Sequence, residues 1–207
     1  AGVDGKIIRS NDGTTWGYPL SYPSGSGLFS GSGPVFTIPE YQTWSLAEFN
    51  DYLYAGISPG KIYRSNNGID WSLVRDNIGS TVVALEVSGS YIFASTNTTT
   101  FTGNIYWSAD GVTWEAIGEP SKWTGSNVRC LKEFKGFMYA GTLNYGKIYK
   151  RELYGLHHQL SAYDGMSWTA GLTSAGYNED NPAYEVRGMI SYNDKLYAII
   201  HLSLIHI

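Results

Sequence analysis

The chain has 207 residues, 43% of them hydrophobic and 15% charged, enough to bury a core without a metal or disulfide staple. Its formal net charge is −4, from 14 Lys+Arg against 18 Asp+Glu, and no basic stripe is present; this excludes the phosphate-neutralising chemistry of a nucleic-acid binder. The single cysteine, Cys130, excludes an intramolecular disulfide and a multi-cysteine zinc site, and no apolar stretch reaches the length of a membrane span.

Taken along the chain, one pattern recurs. Gly5-Lys6-Ile7-Ile8-Arg9-Ser10-Asn11-Asp12-Gly13-Thr14-Thr15-Trp16 returns as Gly60 to Trp71, with Ser65, Asn67 and Gly68 at the matching places. It returns again as Gly103 to Trp114, with Ser108, Asp110 and Gly111. A fourth copy opens at Gly146-Lys147-Ile148-Tyr149-Lys150 and, after an insertion, closes on Asp164-Gly165-Met166-Ser167-Trp168. Positions 12, 67, 110 and 164 are 55, 43 and 54 residues apart, the span of one four-strand unit with variable loops.

A second pattern precedes three of these copies and also stands after the fourth. Leu46 to Phe49 leads to Tyr52-Leu53-Tyr54-Ala55-Gly56, Leu85 to Ser88 leads to Tyr91-Ile92-Phe93-Ala94-Ser95, Leu131 to Phe134 leads to Phe137-Met138-Tyr139-Ala140-Gly141, and Met189 to Tyr192 leads to Lys195-Leu196-Tyr197-Ala198. Two apolar runs flanking Asn50-Asp51, Gly89-Ser90, Lys135-Gly136 or Asn193-Asp194 predict β-hairpins. The expected fold class is therefore all-β: a partial β-propeller of four-stranded antiparallel blades in a single domain over 1–201. Whole blades are expected at 43–71, 82–114 and 128–168, with partial ones at 5–16 and 186–201, as if an arc had been cut from a larger ring. Residues 202–207, Leu-Ser-Leu-Ile-His-Ile, resemble a translated sequencing-library adapter and are expected to be a non-native tail.

The pattern Ser-x-Asp-Gly-x-x-Trp resembles the Asp-box, or bacterial neuraminidase repeat, of sialidase-like propellers. Its copies are Ser10, Asp12, Gly13, Trp16; Ser65, Asn67, Gly68, Trp71; Ser108, Asp110, Gly111, Trp114; and Asp164, Gly165, Trp168, where Ala162 replaces Ser. All four are one residue shorter than the commonest form of the box. The resemblance implies a structural role at the blade periphery, away from the ligand face. Physics implies the same: the Asx side chain accepts amide hydrogen bonds from its own turn, Gly supplies a positive φ in a two-residue turn, and Trp supplies buried area.

The family's Phe-Arg-Ile-Pro signature is approached by Phe36-Thr37-Ile38-Pro39, but Thr37 stands where an arginine would grip a carboxylate. Glu40-Tyr41 and Tyr184-Glu185 place a carboxylate beside a phenol, an adjacency expected by chance among 17 Tyr. His157-His158 would point to opposite strand faces and so share no metal. Asn97-Thr98-Thr99 is a glycosylation sequon, and 21–33 is a long Ser/Gly loop. Arg129 and Arg187 share one repeat position, opening the innermost strand, which Trp44 and Val83 fill in the other blades. Trp44, Arg129 and Arg187 are accordingly the candidate ligand site at the channel mouth, suited to a glycan or protein ligand through forked hydrogen bonds and stacking. Alternatively, each arginine pairs with a carboxylate such as Glu133 or Glu185 and decorates the rim.

No complete acid–nucleophile constellation, metal site or cofactor motif is legible. The reading is a non-catalytic propeller module of a secreted, periplasmic or cell-surface protein. The alternatives are a fragment of an exo-acting sialidase-like glycoside hydrolase and a purely architectural repeat.

Overall fold

The computed structural model describes residues 7, 9–14, 42–118, 126–143, 145–153, 169–170 and 184–202. Every regular element among them is a strand. The first unit comprises β1 (Thr43–Phe49), β2 (Tyr52–Ile57), β3 (Lys61–Ser65) and β4 (Ser72–Arg75). The second comprises β5 (Thr81–Ser88), β6 (Tyr91–Asn97), β7 (Ile105–Ser108) and β8 (Glu115–Ala116). The third comprises β9 (Val128–Phe134), β10 (Phe137–Thr142), β11 (Ile148–Glu152) and β12 (Thr169–Ala170). A hairpin of β13 (Tyr184–Tyr192) and β14 (Lys195–Leu202) follows. Each unit is one antiparallel sheet with its strands in chain order.

The inner hairpins turn where the sequence places them, and their dihedrals say why. Asn50 and Asp51 have φ of 48° and 60°, and Asn193 and Asp194 repeat this with 46° and 58°. Both central residues of a type I′ turn need positive φ, which Asn and Asp tolerate best after Gly. The outer connection differs from expectation. It is not a two-residue turn, because β3 ends at Ser65 and β4 begins only at Ser72. Trp71 closes that loop rather than the strand, so the fourth strands lie beyond the predicted limits.

Inside the loop the repeated motif forms one hydrogen-bonded knot. Ser108 Oγ donates to Asp110 Oδ1 (3.0 Å) and accepts from the Gly111 amide (2.8 Å). Asp110 Oδ1 accepts from the Val112 and Thr113 amides at 2.7 Å each, and Thr113 Oγ1 donates to Oδ2. Ser65 and Asn67 build the same knot, the Asn67 oxygen standing in for the carboxylate, and so do Ser10 and Asp12. Gly13, Gly68 and Gly111 share φ of 72–73°, the left-handed region that excludes most side chains. Trp16, Asp164, Gly165 and Trp168 lie outside the described residues.

Burial acts to raise the Asp110 pKa, but the hydrogen bonds from Thr113, Val112 and Ser108 outweigh it and hold the carboxyl at about 2. A depressed carboxyl stabilises the fold above its unfolded pKa of about 3.9, and that contribution is lost as pH falls through the folded value. The denaturation midpoint is therefore expected to fall between pH about 4 and about 2. Asp110→Asn keeps the acceptor oxygen, as Asn67 demonstrates, and should flatten the profile in that window. Parallel profiles for the two proteins would refute the assignment.

Apolar residues alternate along the second strand of each unit and fill the seams between consecutive units. Tyr54 of the first unit packs with Val82, Leu85, Ile92, Ala94 and Trp114 of the second. Phe93 of the second packs with Val128, Leu131, Met138 and Ala140 of the third. Cys130, Tyr139 and Ile148 of the third meet Val186 and Met189. Ahead of the first unit, Ile7 packs on Ala55, Ile57, Tyr63 and Trp71. Trp71 and Trp114 are buried, 7% and 5% exposed. The glycine after Ala is set by the same packing. A Cβ on Gly56 would stand 2.6 Å from Val82 Cγ1, and one on Gly141 2.7 Å from Val186, so neither seam could close over a side chain.

Candidate functional site

The innermost strands β1, β5, β9 and β13 each carry one irregularity, always at the same place. Thr43 pairs with Ile57 and Ser45 with Gly56, leaving Trp44 as the extra residue. Val82 and Ala84 pair with Thr96 and Ser95 around Val83. Val128 and Cys130 pair with Thr142 and Gly141 around Arg129, and Val186 and Gly188 pair with Ile200 and Ile199 around Arg187. Each is a β-bulge, a device that leaves one residue out of the ladder and re-aims its side chain. Residues on either side can keep to one seam, as Val128 and Leu131 show by sharing one apolar cluster three residues apart.

The four bulged side chains have different fates. Trp44 is 43% exposed, not packed between units. The Arg129 guanidinium carbon lies 5.4 Å from the centre of the Trp44 ring, within cation–π range. These residues come from the first and third units, and between them stands β5 with its buried, shorter Val83. Among the described residues no carboxylate pairs with Arg129. Glu133, a partner considered on sequence grounds, instead accepts from the Gly136 amide (3.0 Å), while its own amide donates to Glu86.

Arg187 takes the other course. Its Nε donates to Glu185, which is buried and also lies 3.3 Å from His201 Nδ1. Half its side chain remains exposed, but its cation is already matched, as the rim alternative holds. The structure thus brings Trp44 and Arg129 together, and among the described residues Arg187 contacts Glu185 and neither of those two.

Cys130, next to Arg129, is buried and faces the last seam, where Sγ donates to the Val186 carbonyl (3.4 Å). Burial pushes its thiol up to about 12, against the smaller opposing effects of the Gly141 hydrogen bond and the Arg129 charge. It is a packing residue, not a nucleophile. Phe36 to Tyr41, His157, His158 and the 21–33 loop lie outside the described residues, and nothing is described of the Tyr184 side chain. Asn97 of the sequon ends β6, with its Oδ1 buried. Among the described residues no group of His, Cys, Asp and Glu could hold a metal ion, and no helix is long and apolar enough to cross a membrane.

No family model matches the chain, and no curated protein matches it. Solved structures do match. The structure of YCF48 bound to a D1 peptide is 17% identical, with a TM-score of 0.58 over 96% of this chain and 55% of that one. The chain is an arc of a β-propeller. It spans about half the length of the YCF48 chain. Fainter likenesses are a chain of a nidogen/laminin complex, 15% identical with a TM-score of 0.46 over 79% of this chain and 73% of that one, and the computationally designed Ika8 protein, 16% identical with a TM-score of 0.46 over 76% and 42%. At such identities the propeller likeness is one of fold and not of activity.

Proposed function

We propose that this propeller arc is a non-catalytic binding module whose channel mouth holds an anionic group of a protein or glycan ligand between Arg129 and Trp44. The single observation that carries this reading is the Arg129 guanidinium placed over an exposed indole with no carboxylate partner among the described residues. A guanidinium in that state keeps its forked donors for an incoming carboxylate, and the ring offers a flat face beside it. Arg187, already matched by Glu185, contributes long-range positive potential at most. The propeller YCF48 holds a D1 peptide, which makes a peptide segment the first ligand class to try. Kinship with the Asp-box repeat belongs to the same proposal and is supported by the three Ser–Asx–Gly knots, each with the Gly amide bonded to the Ser hydroxyl at 2.8 Å; it assigns those residues to structure.

Titration with acidic and neutral peptides, and with acidic and neutral oligosaccharides, tests the site. Acidic ligands should bind more tightly, with affinity falling as salt rises. Arg129→Ala should weaken them at least about tenfold, or about 1.4 kcal/mol, and leave the neutral ones unchanged. If Arg129→Ala binds every ligand as the parent does, the site is wrong. Release of a terminal sugar from an acidic glycan would sink the non-catalytic reading.

A further inference from the structure

The third unit carries a second cation at the edge where its bulge lies. Gly141 of β10 pairs with Cys130 of β9 on one side and with Ile148 of β11 on the other. Both neighbours are antiparallel to β10 and so run the same way. Arg129 and Lys147, one residue before Cys130 and Ile148, therefore stand level, two strand spacings or about 10 Å apart. Tyr149 packs on the cluster that holds Phe93 of the second unit, whereas Ile148 faces the seam with Val186. Alternation puts Lys147 on the side of Tyr149, towards the second unit. Arg129 leans the same way, since its guanidinium reaches Trp44 beyond that unit. The two charges thus keep roughly the separation of their backbones.

Both cations are in the same state. Lys147 Nζ lies 5.9 Å from the centre of the Tyr145 ring, as Arg129 lies over Trp44, and no carboxylate pairs with it among the described residues. Neighbouring carboxylates are engaged elsewhere: Glu86 with Lys132, Glu185 with Arg187, and Glu133 with the Gly136 amide. The fold itself does not ask for a lysine there, because Asn104 fills the matching place in the second unit. Between the two stations lies a fixed, hydroxyl-bearing loop. Asn127, 3% exposed, brackets the Thr98 backbone with its side-chain amide (3.0 and 3.1 Å), while its carbonyl takes the Leu143 amide (2.8 Å). Asn127 thus ties the Thr98 loop to the chain two residues before Arg129 and, through Leu143, two before Tyr145. The hydroxyls of Thr98, Thr100 and Thr102 stand 3.0–3.3 Å from one another on the exposed side of that loop.

We propose that Lys147 and Tyr145 form a second anion subsite, so that this face takes an acidic peptide in the polyproline II conformation, its carboxylate side chains three residues apart. The inference rests on the reading of Arg129 and Trp44 given above and extends it. A polyproline II chain has three residues per turn and rises about 3.1 Å per residue, so side chains at i and i+3 share one side roughly 9 Å apart. That matches the separation of the two cations. Such a chain makes no hydrogen bonds within itself, and threonine hydroxyls, which both donate and accept, can serve its amides and carbonyls in turn. At each station a cation lies over the ring. Charge is therefore presented ahead of stacking surface, which suits acidic side chains better than the sugar rings of an acidic glycan.

Calorimetric titration of the full chain with end-blocked synthetic peptides tests this. One peptide carries Glu-Pro-Pro-Glu, its isomer carries Pro-Glu-Glu-Pro, and a third carries a single Glu among prolines. The parent should bind the first at least about tenfold more tightly than the isomer, because only there can both carboxylates engage at once. Lys147→Gln should abolish that advantage without changing the affinity for the single-Glu peptide, and Lys147→Arg should keep most of it. Arg129→Ala should weaken all three. If Arg129→Ala changes nothing, the reading of the channel mouth itself fails. If Arg129→Ala weakens binding but the parent takes both isomers alike, or Lys147→Gln preserves the difference, the mouth stands and the second subsite falls. The comparison of isomers needs the parent chain alone and so does not depend on any variant folding. An oligogalacturonate that binds through both cations more tightly than every peptide would overturn the choice of a peptide.

Discussion

Replacing Trp114 with Ala is expected to lower the unfolding free energy by about 3–5 kcal/mol, as for other buried Trp or Phe truncations. Trp114 is 5% exposed and shares its cluster with Phe49, Tyr54, Ile62 and Ile78 of the preceding unit and its linker. Removing the indole opens a void lined by groups from two units, which cannot collapse without shifting one sheet against the other. Trp71→Ala should also lower stability, through its cluster with Ala55, Ile57 and Tyr63. Chemical denaturation at a common slope measures both. An unchanged midpoint for Trp114→Ala would contradict the seam assignment.

Gly111→Ala and Gly68→Ala should separate two roles that the motif's glycine combines. Both residues have φ near 72°, where a side chain costs about 1–2 kcal/mol of backbone strain. A Cβ on Gly68 would meet nothing within 4 Å, so strain alone should appear there. A Cβ on Gly111 would overlap the Tyr54 hydroxyl, and Tyr54 has no exposed surface through which to move. The second variant should therefore lose about 3 kcal/mol or more, the range of overpacked cores added to the strain. Tyr54→Phe removes the overlapping oxygen and should restore part of that loss in the double variant, a coupling that a thermodynamic cycle reads directly. Equal losses at Gly68 and Gly111 would show that the knot does not bear on the preceding unit.

The hairpins, the knots and the order of strands were legible because each rests on local chemistry: Asn-Asp and Lys-Gly turns, a Ser–Asx–Gly triad, alternation of apolar residues. The start of the fourth strand was not, since Trp71 looks like a strand residue until its burial is seen to lie in a seam rather than a ladder. The bulges were also missed, although they left a trace. Val128 and Leu131, like Val82 and Leu85, are three apart yet face one side, which strict alternation forbids and one inserted residue allows. That trace would have explained why Trp44, Val83, Arg129 and Arg187 share a position. It would not have divided the arginines. Glu185 reaches Arg187 from two residues away on its own strand, whereas Arg129 finds Trp44 across a whole intervening unit, a contact set by how the units are turned about the axis.

The arrangement of the indoles gives the protein a built-in optical readout. Trp71 lies in the seam ahead of the first unit, Trp114 in that between the first and second, and Trp107 in that between the second and third. Each seam is made by neighbouring units, so opening one leaves the others without a direct penalty, as in a linear chain of coupled elements. The emission of each indole, isolated by replacing the others with Phe, would follow the wetting of its own seam. Three curves falling together would describe a molecule that melts as one block, and staggered curves would order the seams by strength, from the end that opens first to the one that holds longest.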